Sequence, residues 1–135
     1  MNASLRTFVR ERAGNRCEYC RLHQDDEPYL PFHIEHIVAR QHAGADLAHN
    51  LAVACNHCNS CKGPNLTGID PRTRKIVHLF HPRRHKWTRH FRWAGPILIG
   101  RTAIGRTTIS VLQINHADSM NLRQELMDAG VILST

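Results

Sequence analysis

The sequence predicts an α+β fold, and three observations lead there. Two CxxC pairs, CEYC at 17–20 and CNHC at 55–58, are separated by 34 residues. Short runs rich in β-branched residues, HIEHI at 33–37 and IVHLF at 76–80, read as strands. Stretches near both ends carry the three-to-four-residue apolar spacing of helices. A chain of 135 residues is long enough for one modest core and not for two, so a single domain over 1–135 is expected.

Taken in order, residues 4–13 predict an amphipathic helix with Ser4 as N-cap, Leu5, Phe8, Val9 and Ala13 on one stripe, and a stop at Gly14-Asn15. The first CxxC then makes a tight turn, followed by a polar, acidic loop and the strand LPFHIEHIV. After the glycine-containing loop at 43–46, NLAVACNHCNSCK has helical character as far as Gly63-Pro64. Beyond IVHLF the chain is strongly basic with interleaved aromatics. ILIGRT predicts a strand, TTISVLQIN a helix, and Asp118 caps a last helix carrying Leu122, Leu126 and Ala129.

The net charge of +7 argues for a polyanionic partner, nucleic acid ahead of an anionic membrane surface. No stretch approaches the roughly 18–20 apolar residues that span a bilayer. The N-terminus lacks the apolar segment of a signal peptide, so a cytoplasmic setting without an anchor is expected. Five cysteines, an odd number, disfavour a disulfide framework and favour metal ligation. Cys17, Cys20, Cys55 and Cys58 supply the ligand number and softness of a closed tetrahedral zinc site, which is structural because no position stays open. Cys61 follows three residues after Cys58, so 58/61 could replace 55/58 as the second pair, and His57 is a further candidate; a ligand pair at a turn into a helix favours Cys55 and Cys58.

Glu35-His36, Asn50-Leu51 and Cys55-x-x-Cys58-Asn59-x-x-Lys62, read together, resemble the zinc-stapled HNH endonuclease signature, with asparagine in the last position. The pattern spans about residues 5–92, and LFHPRRHKWTRHFRW with GRTAIGRTTISVLQIN is similar to the tail of small bacterial HNH proteins. This resemblance implies a ββα-metal, treble-clef-like core over 5–92, with 93–135 as a C-terminal strand and helix extension packed on it. It also implies a metal-dependent DNA endonuclease that hydrolyses phosphodiester bonds. His36 would be the general base, since an imidazole titrates near neutrality. Glu35 and the Asn59 side chain would hold one divalent cation, magnesium or manganese, which prefer hard oxygen donors. Asn50 would fix the loop and orient His36, and Lys62 would touch a phosphate.

Neighbours on a regular strand point to opposite faces, so this assignment requires the strand to end or distort at Glu35-His36. A rival assignment makes His33 a ligand beside Glu35; otherwise His33 supports the site or faces DNA. Arg83, Arg84, Lys86, Arg89 and Arg92 are expected along a nucleic-acid backbone, whose contacts carry affinity without sequence information. Trp87 and Phe91, four residues apart, are expected in the core. The resemblance implies duplex or branched DNA as the substrate, with RNA as the alternative. A second reading is a zinc-containing nucleic-acid-binding module that keeps a nuclease scaffold without catalysis.

Overall fold

The computed structural model describes residues 1–135, which fall into two compact units: 1–66 with 81–84, and 67–80 with 85–135. The expected division at residue 92 does not coincide with these units, because residues 67–80 group with the C-terminal part.

In the first unit, helix α1 (Ala3–Arg12) is capped by the Asn2 side chain, which accepts from the Leu5 amide at 2.8 Å. Asparagine is among the best N-caps, and it moves the start of the helix ahead of the expected Ser4. Only Val9 of the expected stripe is fully buried. The helix is fastened by its arginines instead: Arg10 donates to the Phe32 carbonyl at 3.0 Å, and Arg12 to those of Ala48 and Leu51 at 3.0 and 2.7 Å.

Strands β1 (His33–His36) and β2 (Leu51–Ala54) pair antiparallel, with His36 opposite Leu51 and Glu35 opposite Ala52. Helix α2 (Asn56–Lys62) follows directly, completing a ββα order. The expectation that NLAVAC is helical is corrected here. All four residues of β2 are buried, and a short continuous apolar run fits a covered strand as well as a helix, so pairing with β1 decides the matter. The helix begins only after Cys55, which is its N-cap.

The second unit contains two antiparallel hairpins, β3 (Thr67–Ile69) with β4 (Ile76–His78) and β5 (Phe91–Ala94) with β6 (Ile97–Gly100). Helices α3 (Trp87–His90), α4 (Ala103–Leu112) and α5 (Ala117–Asp128) complete it, with His116 rather than Asp118 capping α5. Its core is aromatic and aliphatic: Phe80, Trp87, Phe91, Leu98, Leu112 and Ile114 are buried. Gly105 lies so close to the His90 carbonyl that a Cβ would overlap it, which lets α4 approach the chain there. No helix is long and apolar enough to cross a membrane.

Candidate functional site

The four expected cysteines converge. Cys17, Cys20, Cys55 and Cys58 are buried, and their sulfurs all lie within 4.8 Å of one another. Each CxxC turn is closed locally: the Cys20 amide donates to the Cys17 sulfur at 3.5 Å, and the Cys58 amide to the Cys55 sulfur at 3.4 Å. A left-handed Arg21 (φ 69°) and the Cys17 amide bonded to the Leu22 carbonyl fold the first turn back on itself. Burial opposes ionisation of Cys17, yet hydrogen bonds from Cys20, Cys55 and Cys58 hold its thiol well below the usual range. The Cys55 and Cys58 thiols are pushed up by sharing those protons. Four cysteine sulfurs at this spacing suit a soft tetrahedral cation, so the donor set fits a structural zinc. Cys61 is outside the cluster, half-buried and 3.9 Å from His57 Nε2.

Beside this cluster lies a buried polar network. Glu35 points inward, where one carboxylate oxygen accepts from the Tyr19 hydroxyl and the other lies 3.0 Å from Lys62 Nζ. Lys62 also donates to the Ile37 and His36 carbonyls at 3.1 and 3.4 Å. Burial raises the Glu35 carboxyl above its ordinary range, against the attraction of Lys62. The Tyr19 hydroxyl is likewise pushed well up, by burial and then by the Glu35 charge. The expectation that Lys62 touches a phosphate is therefore corrected: its side chain is 2% exposed, and its three protons serve the end of β1. The expected cation site meets an obstacle here. Carboxylate and amide oxygens are the right donors for magnesium or manganese, but both Glu35 oxygens are already engaged and Lys62 supplies the positive charge. Asn59 lies half-buried on α2.

His36, the last residue of β1, faces the other way from Glu35, as neighbours on a strand must. Its Nε2 lies 2.5 Å from Asp46 Oδ1, and Arg40 reaches the same carboxylate at 3.1 and 3.3 Å. Hydrogen bonds from His36 and then Arg40 hold the Asp46 carboxyl below its usual range, so it is ionised. Asn50 does not orient His36 directly. Its side-chain oxygen accepts from the Val38 amide at 2.9 Å, and its NH₂ donates to the Val38 and Ala45 carbonyls, both at 3.0 Å. The loop from 37 to 50 is thus clamped around Asn50, and a Cβ on Gly44 would overlap the Val38 carbonyl. Asp46 was not anticipated, although it is the single acid in that loop, which was the available signal. His33 is exposed and bonds the Asn56 side chain at 2.5 Å, at the start of α2 and away from Glu35's partners.

The expected basic contacts divide. Arg83 is committed to Glu18, whose other oxygen accepts from the Val53 amide at 2.8 Å; this pair attaches 81–84 to the first unit. Its placement on a nucleic-acid backbone is corrected accordingly. Arg84, Lys86, Arg89 and Arg92 are exposed, while Trp87 and Phe91 are core, their rings 5.1 Å apart.

A ββα unit with a closed thiolate cluster behind it and a histidine at the end of its first strand defines the class. Residues 17–65 match the family model of the HNH endonuclease. Among curated proteins, the chain is 25% identical over 118 residues to the Septu protein PtuB of Bacillus thuringiensis. The similarity covers 86% of this chain but 43% of that protein's length, less than half of it. No solved structure matches the chain.

Proposed function

We propose that the protein is a nuclease that hydrolyses phosphodiester bonds in DNA, with His36 as general base and a zinc held by Cys17, Cys20, Cys55 and Cys58 as a structural staple. The observation that carries this reading is the His36–Asp46 pair at the end of β1, inside the stretch that matches the HNH family. A carboxylate can only accept, so His36 Nε2 carries the proton and Nδ1 is the basic nitrogen. A base held in one tautomer by a carboxylate is oriented to take a proton from attacking water. Asp46 is then a positioning residue, and Asn50 supports it by fixing the loop.

The divalent cation expected at Glu35 and Asn59 belongs to this proposal. When bound, such an ion stabilises charge on the phosphate and on the departing oxygen. To reach Glu35 it must take over the charge that Lys62 supplies. The test is cleavage of labelled single-stranded, duplex and branched DNA, and of RNA, across a series of divalent metals. His36→Ala should lower the rate by roughly 10²–10⁴, the usual contribution of a general base, while keeping zinc and fold. Asp46→Asn should lower kcat by less and leave KM near the parent value. Undiminished cleavage by folded, zinc-loaded His36→Ala removes the mechanism.

One observation favours the second reading, a nucleic-acid-binding module without catalysis: both oxygens of Glu35 already have protein partners, Tyr19 and Lys62. Added magnesium or manganese separates the two, because the binder would shift gel mobility and never produce cuts.

A further inference from the structure

The β3–β4 hairpin of the second unit has a strongly basic turn. Between Asp70 and Asp118 the chain contains no acidic residue at all. The second unit holds nine Lys and Arg against four Asp and Glu, whereas the first holds nine against seven. Residues 70–75, Asp-Pro-Arg-Thr-Arg-Lys, join β3 to β4, and Arg72, Arg74 and Lys75 are all exposed there.

Asp70, the one acid of the turn, does not neutralise them. It is fully buried, and Arg106 of α4 forks onto its two oxygens at 3.1 and 2.9 Å. The same carboxylate accepts from the Arg72 amide at 3.1 Å and the Thr73 hydroxyl at 2.8 Å, so it shapes the turn from below. The backbone closes the turn with the Asp70 amide on the Lys75 carbonyl and the Arg74 amide on the Asp70 carbonyl. Arg74 takes the left-handed conformation (φ 64°) there. Helix α4 packs against both strands and contributes Arg106 as its one charged residue. Gly68 presses so closely on Val111 and Thr107 that no side chain fits, which fixes the ribbon to that helix.

The hairpin therefore holds three cations on a rigid, hydrogen-bonded turn whose acid is occupied elsewhere. Ordering long cationic side chains costs entropy on binding, and a backbone fixed in advance lowers that cost. We propose that Arg72, Arg74 and Lys75 form a nucleic-acid contact of the second unit, gripping the phosphodiester backbone of a duplex. The identity of the polyanion rests on the nuclease reading; the presence of a phosphate-binding turn does not.

The experiment measures binding of a fluorescent DNA duplex by the full chain in a His36→Ala background, from about 50 to 200 mM salt. Arg72→Gln, Arg74→Gln and Lys75→Gln are combined, and zinc content and thermal midpoint serve as controls. Each lost phosphate contact lowers the slope of log K against log salt by about 0.9, so the triple variant should lose roughly 2–3 from that slope. Its affinity at the lowest salt should fall about tenfold or more, with zinc and midpoint unchanged. An unchanged slope and affinity overturn the proposal, as does a parent that binds no duplex at the lowest salt. Loss of slope, where the parent with His36 intact cuts no substrate with any divalent metal, leaves the turn in place and sinks the nuclease reading. Cleavage by the parent with unaltered binding by the triple variant does the reverse.

Discussion

In residues 1–66 and 81–84 the interior sets sulfur and charge among apolar side chains such as Phe32, Leu51 and Val53: four cysteines, Glu18 with Arg83, Glu35 with Lys62, and the clamped Asn50. In residues 67–80 and 85–135 it is mostly carbon, with Phe80 and Trp87 each within 5.3 Å of Phe91, Leu98, Leu112 and Ile114 also buried, and one buried carboxylate, Asp70, paired with Arg106. The second unit also buries Arg123, which donates to the Pro96 and Ile114 carbonyls and to Asn115. The difference teaches that a unit carrying reactive polar groups can be held by ligation and paired charges where apolar area is short. Such holding should make the first unit alone sensitive to chelators, whereas each unit keeps a buried carboxylate, Glu35 or Asp70, whose ion pair ties it to pH.

The largest effect that can break this comparison is removal of the zinc proposed at Cys17, Cys20, Cys55 and Cys58. Structural zinc contributes about 10–16 kcal/mol in zinc-finger peptides. Chelation, or Cys58→Ser, should therefore abolish the dispersed amide signals of residues 1–66 while those of 67–80 and 85–135 persist. Simultaneous loss of both sets in a heteronuclear NMR spectrum would show that the two units do not differ in this way.

Next come two substitutions of similar cost and opposite character. Lys62→Met leaves Glu35 buried without its counter-ion, which costs about 3–5 kcal/mol. The folded carboxyl, already raised by burial, rises further once Lys62 is gone. The folded state then binds the proton more tightly than the unfolded chain, whose carboxyl titrates near 4.3. Stability consequently falls as pH rises through the window above about 4.3, and the deficit should shrink between about pH 7 and pH 5. Phe91→Ala in the second unit also costs about 3–5 kcal/mol, by opening a cavity, but with no such pH dependence. Urea unfolding of both variants at the two pH values checks the contrast; parallel pH profiles would defeat it. The smallest effect is Cys61→Ser, which lies outside the cluster. It should leave one zinc per chain and change stability by no more than about 0.5 kcal/mol, measured by metal analysis and the same unfolding curves.

Much of the first unit was legible before any coordinates. CxxC pairs are local patterns, since two sulfurs three residues apart on a turn aim at one point whatever surrounds them. The choice of Cys55 and Cys58 over Cys61 followed from the position of a turn into a helix, and Cys55 is indeed the cap of α2. The run LAVA was less legible because all four of its side chains are buried, which erases the alternation that marks a half-covered strand.

What the sequence determined by itself is therefore the class: a basic chain with a thiolate staple, a histidine ending a short strand, and aromatic anchors in its second unit. These features depend on spacing along the chain, and spacing is visible in the letters. Tertiary structure alone decided which charges meet. Glu35 and Lys62 are 27 positions apart, Glu18 and Arg83 are 65, and Asp70 and Arg106 are 36. A cation on the surface and one that satisfies a buried carboxylate read the same in sequence, because burial and ion pairing depend on partners brought near only by folding. That is why Lys62 and Arg83, which read as surface cations, are spent on Glu35 and Glu18, while Arg72, Arg74 and Lys75 stay exposed.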